Sequence, residues 1–257
     1  MPVLHHLHTI YHPISLEEAH AQLQARGAYP IYGHGAYLPR LPYSARRELE
    51  AIVDLSALAP SRWQLNGRRL EVGSAITATH ARSISPDVAA VIDAELPRTL
   101  QNTLTLGDLL MECPPDSLIL AMLQGIGARV ITAEHDENAA IDMPRWFALS
   151  LEERRRLAIL GVIASEYAAN WRFAPYKISR TPADAPIVGA VGFAFHGEPD
   201  PGAFSILVGV LEHPARYYEG IRSTRHDYKG SAEYRTAMAA VAHAESIRRA
   251  RELAQGG

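Results

Sequence analysis

One cysteine, Cys113, is all that this chain of 257 residues carries. Neither an intrachain disulfide nor an iron–sulfur or zinc centre built on several thiolates can form from it. The same scarcity suits a reducing compartment. Aromatic residues are sparse at 7%, and no apolar run reaches the length of a membrane span. The first residues offer no basic segment followed by an apolar core, so the expectation is a soluble, cytoplasmic protein with no membrane partner. An excess of positive charge is also missing. Lys and Arg number 25 against 28 Asp and Glu, a formal net charge of -3, which argues against nucleic acid as a partner. There is no Gly-x-Ser-x-Gly elbow to anchor a serine hydrolase and no Walker A loop.

What is present is ordinary globular material, 47% hydrophobic and 21% charged, in a chain long enough for one large domain or two smaller ones. Val3 to Tyr11 alternates as a strand. Ser15 and Glu18 form a capping box ahead of a helix that Gly27 is placed to end. Tyr29–Tyr32 and Ala51–Leu55 read as strands. Trp63–Leu65 and Leu70–Val72 read as a hairpin around Asn66-Gly67. A helix is expected to begin in Thr77–Arg82, and another to span Ser117–Leu123, before a strand at Ala128–Ala133. Arg156–Ala164, Ile187–Phe195 and Phe204–Leu211 read as further strands, the last two joined by a turn at residues 197–202. Ser231 to Ala254 closes the chain as a helix. Strands and helices without regular βαβ alternation point to an α+β fold.

Individual motifs have plain readings. Gly125-Ile126-Gly127 follows a helix and enters a strand, the reverse of a dinucleotide fingerprint. His6, His8 and His12 could share a strand face, but no nearby acid or thiol completes a metal set, so no metal is expected. Arg154-Arg155-Arg156, flanked by Glu152 and Glu153, reads as a solvated turn. Gly33-His34-Gly35 and Thr105-Leu106-Gly107-Asp108 are, each alone, turn signals.

Taken in order, however, these stretches resemble a family. Pro13–Ala19 is similar to an opening Pro-x-Ser-x-Glu-Glu-Ala helix, and Tyr32-Gly33-His34-Gly35-Ala36-Tyr37-Leu38-Pro39 lies where the family has Ala-Gly-Gly-Gln-Ser-Leu-x-Pro. Gln101–Leu109 lies where it has Arg-Asn-x-Ala-Thr-Ile-Gly-Gly-Asn, and Asp227–Arg235 resembles its Asp-x-x-Gly-Ser-x-x-Tyr-Arg signature. The family is the FAD-binding (medium) subunit of molybdenum hydroxylases of the carbon monoxide and xanthine dehydrogenase type.

The resemblance implies a two-subdomain FAD-binding (PCMH-type) fold at residues 1–60 and 61–149. A C-terminal domain of antiparallel sheet and helices would follow at 150–257. It implies FAD contacts at Gly33, His34, Gly35, Ala36, Tyr37, Leu38, Thr105, Leu106, Gly107 and Asp108, with Asp116 on ribose or adenine and Lys177 at the flavin's polar edge. Partners would be a molybdopterin-binding subunit and an iron–sulfur subunit, whose electrons the flavin would relay to an external acceptor. No side chain is expected to be catalytic, and self-association is left open.

The same comparison exposes departures. The second glycine of the first loop is His34, and the Gln and Ser positions are Gly35 and Ala36. In the second loop Gly-Asn has become Asp108-Leu109. An acid beside a diphosphate costs about 1 kcal/mol or more, and a missing hydroxyl donor about 1.5–3 kcal/mol. Together these amount to roughly a hundredfold in affinity. The alternative expectation is therefore a non-catalytic homologue that has lost or weakened FAD binding and acts as a binding or scaffold subunit.

Overall fold

The computed structural model describes residues 6–134, 139–165, 167, 171–182, 184–195 and 202–256. The architecture is mixed α+β, and two compact units interleave along the chain. The first takes Met1–Ala81, Thr99–Cys113 and Ala128–Ser165; the second takes Arg82–Arg98, Pro114–Gly127 and Glu166–Gly257.

The first unit opens with β1 (Thr9–Tyr11), α1 (Leu16–Leu23), β2 (Ala28–Ile31), α2 (Tyr43–Glu48) and β3 (Ala51–Asp54). Ser15 caps α1 through the Glu18 N–H, as its sequence announces, while the Glu18 carboxylate returns to the N–H of Ile14. β3 lies between β1 and β2, parallel to both, and Val53 at its centre has no exposure.

An antiparallel sheet of order β4-β5-β8-β6-β7 follows, built from β4 (Trp63–Asn66), β5 (Arg69–Gly73), β6 (Arg129–Thr132), β7 (Ile141–Asp142) and β8 (Ile159–Ala164). The β4–β5 register pairs Asn66 with Arg69, so the two turn residues are Gly67 and Arg68. Gly67 takes φ +61° at the first of them, the demand of a type II′ turn. The hairpin is where the sequence put it, shifted by one residue within the turn. Short helices α3 (Ala78–Ala81), α6 (Leu106–Glu112), α8 (Met143–Ala148) and α9 (Leu151–Arg154) complete this unit, and α5 (Arg98–Gln101) lies where the chain enters it.

The second unit holds α4 (Pro86–Glu95), α7 (Leu118–Gly125), β9 (Trp171–Ile178), β10 (Val188–Phe195), β11 (Phe204–Val208), β12 (Ala215–Arg216) and α10 (Ala232–Gln255). Its strands form one antiparallel sheet, β12-β11-β10-β9. α10 packs on this sheet at van der Waals closeness because Gly192 has no Cβ, which would stand 2.3 Å from the backbone of Ser246. The buried Asp87 of α4 accepts Arg172 Nε at 2.9 Å, Arg172 Nη2 at 3.0 Å and the Phe173 N–H at 3.0 Å, fixing α4 to β9. The turn expected at residues 197–202 lies mostly outside the described residues.

The basic run corrects its sequence reading. Only Arg156 is solvated; Arg154 and Arg155 are 8% and 5% exposed. Arg155 is bound to Glu152 and donates to the carbonyls of Ala25 and Ala28, while Arg154 donates to that of Leu149. A guanidinium's five donors can satisfy several backbone oxygens at once, so an arginine tolerates burial where its neighbours supply them.

The family-like Asp227–Arg235 stretch is a clasp. Arg235 is fully buried and donates to Gly209 O at 2.6 Å, to Ile187 O and to Asp227 Oδ1 at 2.6 Å. Asp227 also accepts the N–H groups of Lys229 and Gly230. Burial works against the Asp227 charge. The Lys229 N–H, Arg235 and the Gly230 N–H outweigh it and hold its pKa below the usual 3.8.

Arg235→Ala therefore leaves buried carbonyls without donors and is expected to cost about 3–5 kcal/mol in denaturant unfolding. The depressed Asp227 pKa adds stability that is present above 3.8 and lost as pH falls through the folded value. Asp227→Asn should flatten that acid limb when stability is measured across pH; an unchanged limb would place the acid sensitivity elsewhere.

Candidate functional site

Loop one leaves β2 at Tyr32 and ends in a single 3-10 turn at Leu38–Arg40. Gly35 adopts φ +61°, a left-handed conformation that turns the chain so that Leu38 N–H reaches Gly35 O at 3.0 Å. Tyr37 has no exposure, and its hydroxyl donates to Pro30 O at 2.5 Å. Burial pushes its pKa well up. Tyr32 is 1% exposed, accepts the Ile159 N–H at 3.0 Å through its hydroxyl, and is likewise raised by burial. His34 is exposed.

Loop two enters α6. Thr105 is its N-cap, with a reciprocal capping box: Asp108 N–H donates to Thr105 Oγ1 at 3.2 Å, and Thr105 N–H donates to Asp108 Oδ2 at 3.4 Å. Leu106 N–H goes to Ile76 O, Gly107 N–H to Ser74 O at 2.8 Å, and Leu109 N–H to Thr105 O. Every amide N–H from Thr105 to Leu109 thus has an internal acceptor.

The structure brings these two loops into direct contact. A Cβ on Gly107 would stand 2.3 Å from the Tyr32 ring, and one on Gly33 would stand 2.9 Å from Thr105 Cγ2. Arg40 at the end of loop one pairs with Glu112 at the end of α6, at 2.7 Å. Asp108 lies between the loops with no exposure. Burial raises its pKa, while the Thr105 hydroxyl and N–H, the Ala36 N–H and the Arg40 charge pull the other way. Its Oδ1 has no hydrogen-bond partner among the described residues.

The glycines that read as phosphate contacts are therefore required by the chain itself. Gly107 makes room for a tyrosine ring, Gly33 for a threonine methyl, and Gly35 supplies a positive φ. A diphosphate needs convergent N–H donors and open space. Loop two offers no unengaged donor, and Asp108 fills the junction. The N–H groups of Gly33, His34 and Gly35 make no hydrogen bond to a described residue, so loop one keeps part of a cradle. As they stand, the residues present do not fit the diphosphate of FAD.

Of the remaining expected contacts, Asp116 and Lys177 belong to the second unit, and local partners hold each of them. Asp116 Oδ2 receives Lys229 Nζ at 2.9 Å. Lys177 Nζ donates to Pro182 O at 2.7 Å and Asp184 O at 3.1 Å, and burial lowers its pKa. Tyr32 and Arg40 were missed by sequence reasoning. The signal for the first was visible, since Tyr32 stands where the family has alanine.

Other chemistry is poorly supported. Ser205 Oγ lies 2.9 Å from His243 Nδ1, but Ser205 is 1% exposed, so it cannot meet a substrate as a nucleophile. Burial pushes the Cys113 thiol up to about 11, far from the thiolate needed for reactivity. Among the described residues no three His, Cys, Asp or Glu side chains converge as a metal site, and no helix is long and apolar enough to cross a membrane.

No protein-family model matches the chain, and no curated protein does. Solved structures do. A chain of Cu,Mo-CO dehydrogenase in its cyanide-inactivated form superposes with a TM-score of 0.78 at 19% identity, covering 96% of this chain and 99% of that one. Quinoline 2-oxidoreductase from Pseudomonas putida 86 gives 0.77 at 20% identity, covering 96% and 97%. Carbon monoxide dehydrogenase from Hydrogenophaga pseudoflava gives 0.75 at 17% identity, also covering 96% and 97%. At such identities the shared property is the fold, and it extends over nearly the whole of each chain.

The ring-to-glycine contact can be tested. Gly107→Ala should destabilise the first unit by about 1–3 kcal/mol through overpacking. Introducing Tyr32→Ala into that variant should cost less than the same change in the wild type, because the clash has gone. Strict additivity in a double-mutant cycle would contradict the contact.

Proposed function

We propose that this chain is a subunit of the medium-subunit type in a molybdenum hydroxylase-like oxidoreductase complex, and that it serves there as a structural and docking component without its own FAD. Its fold is shared end to end with chains of such enzymes. The observation that carries the second half is the two-loop junction, where loop two has every donor engaged and the Asp108 side chain occupies the space between backbones. A buried polar group held by internal partners is displaced only at the cost of leaving those partners unsatisfied. Redox centres would then reside on partners, a molybdopterin-binding subunit and an iron–sulfur subunit, in keeping with a chain that has a single cysteine.

A flavin-carrying reading has one observation in its favour, the unengaged N–H groups of Gly33, His34 and Gly35. The two readings separate in one experiment. Protein incubated with excess FAD and desalted should show no flavin absorbance, and its melting temperature should not rise. Flavin retained at near one per chain, with a rise of about 5 °C or more at saturation, would overturn the proposal.

A further inference from the structure

The first unit also holds a cavity of about 400 Å³ that no residue of either loop lines. It opens where the end of α1, the start of β2, the end of α2, and α9 with the residues after it come together. Gly27 permits that meeting. It takes φ +64°, and a Cβ there would stand 2.2 Å from the Glu48 carbonyl oxygen.

The wall of this cavity is unfinished in two respects. Tyr29 lines it and is 3% exposed, yet its hydroxyl makes no hydrogen bond to a described residue, whereas those of Tyr32 and Tyr37 do. A buried polar group without a partner is costly, and an acceptor brought into the cavity removes that cost. Burial raises the Tyr29 pKa, so the hydroxyl stays protonated and able to donate. The charges are incomplete as well. Glu152 serves the guanidinium groups of both Arg155 and Arg156, while Arg155 is also spent on the carbonyls of Ala25 and Ala28. Arg156, half exposed, is the cation with capacity to spare. Glu48 lines the cavity with no ion pair to a described residue, and Arg26 beside it lies 3.8 Å from Glu50.

We propose that this cavity binds a small zwitterion, a molecule carrying both a carboxylate and an amine, of which a free amino acid is the simplest. The carboxylate meets Arg156, the ammonium meets Glu48, and the Tyr29 hydroxyl donates to a ligand oxygen. A plain anion leaves Glu48 unpaired, and a plain cation leaves the surplus guanidinium charge unmet. The volume is within the range of small-molecule sites, which begin at roughly 300 Å³. Nothing in this inference depends on whether flavin binds.

The full chain is melted with each common L-amino acid at about 10 mM, and at least one should raise the melting temperature by about 3 °C or more. The best of them is then titrated by calorimetry beside its N-acetyl and its amide derivatives, which each lack one charge. Both derivatives should bind about tenfold or more weakly, and Arg156→Gln and Glu48→Gln should weaken the amino acid by a similar factor. Tyr29→Phe should melt no lower than wild type without ligand, since its hydroxyl holds nothing, yet bind about fivefold or more weakly. No rise with any amino acid overturns the inference, as does undiminished binding of the acetylated derivative or by Tyr29→Phe and Glu48→Gln. A lowered melting point of Tyr29→Phe without ligand would show the hydroxyl to be internally held and overturn it too.

Discussion

A buried carboxyl group lies at the junction of two loops, and the arrangement of the candidate site follows from that constraint. Asp108 cannot reach water, so its oxygens depend on what the two loops provide. Oδ2 accepts the Thr105 N–H at 3.4 Å, the Asp108 N–H in turn donates to the Thr105 hydroxyl, and the Ala36 backbone and the Arg40 charge work against the burial penalty from the other loop. The burial penalty is only partly offset, as its raised pKa indicates. Close approach of the loops is then enforced by packing: the Tyr32 ring over Gly107, the Thr105 methyl over Gly33, and the Arg40–Glu112 pair at the rim. A backbone that would otherwise face a ligand faces another part of itself.

This changes what the glycine motifs mean. A glycine in such a loop is compatible with backbone approach to phosphate, but it is equally what a large neighbouring ring demands. At Gly107 the neighbour is Tyr32, and the family-like alanine at that position would leave the space open. The same shift from function to structure applies to the Asp227–Arg235 signature. That stretch forms a clasp in which Arg235 satisfies two buried carbonyls and Asp227 gathers two amides. A family-like stretch of sequence need not touch the chemistry.

Much of the fold was legible locally. The caps at Ser15, Ser117 and Ser231 each mark a helix start through their own hydroxyls, and the Asn66-Gly67 hairpin lies in place apart from its turn register. What local reasoning could not supply was long-range. α4 and α6 are short helices whose polar residues, Asp87 and Asp108, look like surface positions until partners distant in sequence bury them. Arg155 reads as solvated because the carbonyls that bury it belong to Ala25 and Ala28. The interleaving of the two units has the same origin, since contacts rather than sequence order define them. At the site, the altered positions were visible, but the direction in which Asp108 turns was not. Whether an acid repels a ligand from the rim or replaces it from within depends on the side chain's burial, which only the assembled loops determine.

Hydrogen exchange at the amides of Ala36 and Thr105 tests the central claim most directly. If the Asp108 carboxyl closes the junction, both amides exchange slowly in the free protein, and adding FAD leaves their rates unchanged. Fast exchange in the free protein, slowed once FAD is added, would show an open cradle and contradict the closed one described here.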